Sequence, residues 1–308
     1  MDLLPSAVLR RALMIAILGL SINRLVAAQT KAYHPSDVSL GHRVSSGASA
    51  SQPTLSTPAQ GFVVIMRMVT NEGIARAQHE HFSYISEERS ARTDGHLWTE
   101  KAVETDDGVL RRLLAVDQLP LTLAAREAEE RRIEDLVAHP QAFRRLNENH
   151  KEDETHAIQL LQMLPKEFLI SSDGEQQGCI RFAFRPDPSF QPSTYEERIV
   201  HVLEGTVSVR EPEDRLCDLE ATVSQPVEFG FGLLGKLNSG GHFSFQRMQV
   251  DATHWKTVHV SVHVDGRILL LKSLSRDQEV TRRDIISVPQ HLNLEQAAKL
   301  TRPQGEGR

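Results

Sequence analysis

From Trp255 to Val264 the chain alternates: Val258, Val260, Val262 and Val264 fall on one face of an extended segment, and Thr257, His259, Ser261 and His263 on the other. That period predicts a half-buried strand, and Asp265-Gly266 reads as a hairpin turn into the apolar run 267–274. The same parity runs through 178–186, where Ile180, Phe182 and Phe184 share one face and Cys179, Arg181 and Arg185 the other. In 198–210 the inward set is Ile199, Leu203, Val207 and Val209, and in 215–223 it is Cys217, Leu219, Ala221 and Val223. Earlier, 81–89, 95–105 and 108–116 read as a three-strand meander, punctuated by Asp94-Gly95 and Asp106-Asp107-Gly108.

Helical spacing appears in three places. Within 61–77, Val63, Met66, Val69 and Ile74 recur on one side, which predicts a helix covering the sheet. Thr122 is placed to cap a helix over 124–138. A second helix over about 141–164 carries Phe143, Leu146, His150, Ile158, Leu161 and Leu164 as a stripe, broken by charges at 151–154. These two are expected to form a solvated helical hairpin packed on one edge. The fold class is therefore α+β, mostly β: a strongly curved antiparallel sheet, an incomplete barrel, with an N-terminal helix and an inserted charged helical hairpin at about 122–164.

The first sixty residues fit no such pattern. Arg10 and Arg11 precede the apolar run 12–22, and Ala28 offers a small-residue cleavage point, which together read as a removable export signal over 1–28. Spanning a bilayer takes about 20 apolar residues, more than this run holds. Arg24, close to the cut, fits an uncleaved anchor instead. Residues 29–60, rich in Ser, Pro and Ala, read as a disordered tether, followed by one domain over 61–300 and a disordered tail at 301–308. The expected location is the periplasm or cell envelope, with no membrane span in the mature chain.

Composition narrows the function. Of 308 residues, 40% are hydrophobic and 25% charged, and a net charge of -6 leaves no basic footprint for nucleic acid. Aromatic content of 5% is too low for the girdles of an outer-membrane barrel. The only cysteines, Cys179 and Cys217, fall on opposite faces with a strand between them, beyond the disulfide limit of about 7 Å, so two free thiols are expected.

No catalytic residue, cofactor or metal set emerges from the motifs. Gly230, Gly232 and Gly235 match a dinucleotide pattern, but a strand follows where pyrophosphate needs a helix N-terminus. The pairs His79/His81 and His259/His263 bring no third ligand at a zinc spacing.

Three stretches, 114–122, 184–198 and 229–237 with Gly240-Gly241, resemble a family of exported bacterial proteins, over roughly 61–300. That family's architecture is similar to the outer-membrane lipoprotein carriers and receptors (LolA/LolB-like), half-barrels whose apolar concave face takes up acyl chains. The resemblance implies a non-enzymatic cell-envelope protein that binds a lipid or a lipoprotein acyl chain. The residues expected to line the concave face are Phe182, Phe184, Leu203, Val207, Leu219, Phe245, Val260 and Val262. The charged helices at 122–164 depart from the simple carrier plan. A periplasmic sensor or scaffold that binds another protein is the alternative, and an exported hydrolase with an unrecognised site a further one.

Overall fold

The computed structural model describes residues 58–76, 80–229, 235–268 and 272–303. The expected export signal, all but the last three residues of the tether, and residues 304–308 lie outside them. The chain opens with helix α1 (Pro58–Arg76), then β1 (Phe82–Ser90), a 3-10 turn (Ala91–Thr93), β2 (Trp98–Thr105), β3 (Gly108–Val116) and the short β4 (Leu119–Pro120). Helices α2 (Leu123–Ala138) and α3 (Pro140–Glu167) follow, then β5 (Phe168–Gln176), β6 (Cys179–Pro186), α4 (Tyr195–Val200), β7 (Leu203–Arg210) and β8 (Arg215–Val223). The rest is β9 (Val227–Phe229), β10 (Gly235–Leu237), β11 (His242–Gln249), β12 (Trp255–Ile268), β13 (Lys272–Ser287) and α5 (Leu294–Leu300).

The strands form one antiparallel sheet in the order β4-β3-β2-β1-β13-β12-β11-β8-β7-β6-β5, open at β4 and β5. The fold class read from the alternation, α+β with a curved, unclosed antiparallel sheet, is the one observed. The β9–β10 hairpin adds to the far end of β12.

Register shows how the sheet spends its two faces. One row of lateral neighbours reads Phe182, Val207, Leu219, Phe245, Val260, Val280, Glu88, Trp98. The next reads Phe184, Gly205, Ala221, Phe243, Val262, Gln278, Ser90. From β5 to β12 this face is apolar and carries the main core, covered by α1 and the end of α3. Beyond β13 it turns polar, and the apolar positions of β2 and β3 change sides. Val103 and Leu110 point to the opposite face, where Ile133 of α2, Phe143 of α3 and Leu294 and Ala297 of α5 cover them. At about 1.5 Å per residue the 28-residue α3 is some 42 Å long, enough to pack Phe143 in one core and Leu161 and Leu164 in the other.

Helix α2 also closes the edge of β3, which β4 extends by only two residue pairs. The Leu113 N–H donates to Glu129 (2.9 Å) and Arg132 donates to the Arg111 carbonyl (2.5 Å), so side chains satisfy backbone groups that would otherwise pair another strand. Thr122 accepts from the Ala125 N–H as the cap of α2.

Four expectations are corrected. Cys179 and Cys217 form a disulfide, with Cα atoms 6.7 Å apart. Register between β7 and β8 slips at Cys217: Ser208 faces Asp218 while Val209 faces Leu216, so Cys217 is the extra residue of a β-bulge. The bulge gives its core place to Leu216, and Cys217 joins Cys179 and Trp255 in a separate cluster. Alternation alone could not show a bulge.

Asp265-Gly266 is not a turn either. β12 runs on to Ile268, still paired with β13. A Cβ on Gly266 would lie 2.5 Å from the Lys236 carbonyl oxygen, so this glycine admits β10 rather than bending the chain. Ile199 lies in α4, capped by Thr194, and not in a strand, although it is buried as expected. Finally, α1 rests on the sheet with Val64, Ile65, Met68 and Val69, while Val63, Met66 and Ile74 face solvent. α1 is apolar around much of its circumference, so its periodicity identified a helix without selecting the buried side.

Candidate functional site

The eight residues expected to line the concave face share one face of the sheet, in register, and all belong to or pack against the main core. Phe182 and Val207 are fully buried, Phe184, Leu203, Leu219, Val260 and Val262 buried, and Phe245 half-buried. They are covered by the protein itself. Ile65 and Met68 of α1 are fully buried against them. Gly61 makes the close approach possible: a Cβ there would stand 3.1 Å from the Phe182 ring.

What holds α1 in place is polar, at its C-terminal half. Glu72, buried beneath the helix, takes hydrogen bonds from the Arg215 guanidinium (2.9 Å) and the Leu216 N–H (3.1 Å), and contacts Arg247. Burial pulls the Arg247 guanidinium down to about 10, so it is still charged at neutral pH opposite Glu72. Arg67 pairs with Asp214 (2.9 Å) and Glu211 (3.3 Å), and Asn71 donates to the Glu213 carbonyl. The other half of the helix packs on the sheet through Gly61, Val64 and Ile65.

At that N-terminal half lies a pocket of about 430 Å³ lined by Phe62, Phe168, Leu169, Ile170, Ser171 and Arg185. It lies at the sheet edge formed by β5. Its floor is continuous with the core, because Phe168 meets Phe184 edge-on at 5.3 Å and Ile170 packs against the same cluster. The volume falls in the range of small-molecule sites, and the lining is mostly apolar with one cation at the rim.

Comparison with protein-family models, with curated proteins and with solved structures finds no match.

Other chemistry is placed as follows. Among the described residues no three His, Cys, Asp or Glu side chains gather as a metal site. His259 pairs with Glu279 (3.2 Å), and His263, mostly exposed, stands 3.7 Å from Asp265. His79 and residues 230–234 lie outside the described set, but Gly235 opens strand β10, where a pyrophosphate site requires a helix N-terminus. No helix among the described residues is long and apolar enough to cross a membrane.

Sequence reasoning missed Glu72, Arg215 and Arg247, since a glutamate in a mixed helix gives no sign of being buried. It also missed Phe62, Phe168 and Ile170, whose meeting depends on where α1 crosses β5. The polar half of the concave face was likewise unforeseen, although Glu88 and Ser90, at alternate positions of one strand, already carried its parity.

Proposed function

We propose that the protein is a non-enzymatic cell-envelope protein that binds the acyl chain of a lipid or lipoprotein beneath α1. The observation that carries this reading is the apolar pocket beside the N-terminal half of α1, continuous with the core that this helix helps to cover. The magnitudes agree. Val64 and Ile65 each contribute about 1.5–3 kcal/mol by burial, so lifting that half of the helix costs about 3–6 kcal/mol. At about 0.8 kcal/mol per methylene, a chain burying roughly 4–8 methylenes offsets it, well within the length of a membrane acyl chain. The Glu72 anchor gives the motion a hinge. The Cys179–Cys217 disulfide supports export to an oxidising compartment.

Native mass spectrometry of the protein purified from the envelope, with fluorescent fatty-acid titration, tests the proposal. Co-purifying lipid and saturable binding that Leu169→Glu weakens are expected; Leu169 is partly exposed, so the change spares the core. Absence of both lipid and saturable binding overturns it.

One observation favours a scaffold that binds another protein: the concave face is filled and α1 still presents Phe62, Val63, Met66 and Ile74 outward. In that case α1 stays docked, and its amide hydrogen exchange is unchanged by fatty acid.

A further inference from the structure

The concave face has a second half that the acyl-chain reading does not use. Next to the apolar rows, Arg282 of β13, Ser86 of β1, Glu100 of β2 and Leu113 of β3 lie side by side, with Glu88 and Trp98 in the adjoining row and Tyr84, Ala102 and Arg111 in the row on the other side. Over this surface Arg92, from the 3-10 turn, bridges Glu88 (2.6 Å) and Glu100 (2.7 Å) and stands 5.2 Å above the Trp98 ring. Ser90 donates to Glu88 (2.7 Å). Arg111 lies 3.7 Å from Glu100, and Arg282 stands 5.2 Å above the Tyr84 ring. Helix α2 brings one more pair to the rim, Glu129 with Arg132. Four guanidinium groups therefore face three carboxylates.

The floor of this cluster holds donors with nothing to bind. Ser86 is fully buried at 0% exposure, and its hydroxyl has no hydrogen-bond partner among the described residues. Arg111 Nη1 and Arg282 Nε are likewise buried N–H donors without an acceptor at hydrogen-bond distance. A buried unsatisfied donor costs about 1–3 kcal/mol, more when it is charged, and three in one network are rarely left empty. The side chains that carry the two nitrogens are only partly covered, so the cluster opens to solvent at its rim. Burial pulls the Arg111 guanidinium down, but Tyr84 and Glu100 outweigh it and the charge is kept.

We infer that Ser86, Arg111 and Arg282 form a binding site for an oxyanion of phosphate type. The excess positive charge, the unpaired N–H and O–H donors on neighbouring strands of one face and the aromatic floor of Tyr84 and Trp98 match such a ligand, which offers several acceptor oxygens at once. Two sources supply that chemistry: free phosphate and a lipid headgroup. The site does not depend on the acyl-chain pocket, because it is built from different strands.

The test is a titration of the purified protein with inorganic phosphate, read from the Nε–Hε resonances of Arg92, Arg111 and Arg282, and in parallel with a short-chain phosphatidic acid. Saturable shifts of these resonances are expected. Ser86→Ala and Arg282→Gln should each weaken binding about tenfold, and Glu100→Gln, which removes a competing carboxylate, should tighten it. Tighter binding of the phosphatidic acid than of phosphate assigns the site to a headgroup; equal binding assigns it to the free ion. No saturable shift with either probe, or shifts indifferent to all three substitutions, overturns the inference. Fatty-acid binding without phosphate binding would leave the acyl-chain proposal standing and remove this one alone.

Discussion

Glu167, the last residue of α3, is 2% exposed, and its Oε2 has no partner among the described residues. Burial pushes its carboxyl up to about 7, with the Glu197 charge adding to the effect and Lys166 opposing it. A carboxyl raised above its unfolded value favours the folded state while protonated. That stability is fully present below about pH 4.5 and is lost as pH rises through about 7. Glu167→Gln should therefore stabilise the protein at pH 8, by up to about 3 kcal/mol, and change little at pH 4; urea denaturation at the two pH values checks it. Glu72 is the opposite case, a buried carboxylate that is fully engaged. Replacing it with alanine strands Arg215 and Arg247 and should cost about 3–5 kcal/mol, visible as a lowered Tm. Nothing in the local pattern around either glutamate marks one as lacking a partner and the other as holding three.

Among the elements, α1 and β8 depart furthest from their local patterns. The helix was legible in 61–77, and the structure begins it at Pro58 and ends it at Arg76. The side that it buries was not, because apolar residues surround it and only the sheet decides which of them are covered. β8 was legible as a strand, yet the bulge at Cys217 adds one residue and moves that thiol to Cys179. The disulfide closes a loop with a sequence separation of 38, which the chain-entropy estimate puts at about 4 kcal/mol. Cys179→Ser should therefore lower the denaturation midpoint in oxidising buffer and make it insensitive to dithiothreitol. The α2–α3 pair was expected as a charged hairpin on one edge. α2 does lie on the β3 edge, where Glu129 and Arg132 complete the backbone pairing, but α3 runs on from there and packs Leu161 and Leu164 in the main core.

On the scale of the whole molecule, the sheet joins distant parts of the chain: β1 pairs with β13, and β11 with β8. Every strand parity that places the eight concave residues could be read locally, because side chains alternate with a period of two and each residue carries that information itself. So the sequence by itself determined the fold class, the shared face of those eight residues and the cap of α2. Only the tertiary structure decided what lies beside what. Lateral neighbours come from register, and register put Glu88 next to Val280 and so set a charged half against an apolar half on one concave face. It also fixed the close approach of Gly266 to β10 and the meeting of Cys179 with Cys217. These depend on bulges and on strands far apart in the chain, for which no local period of apolar residues carries a signal.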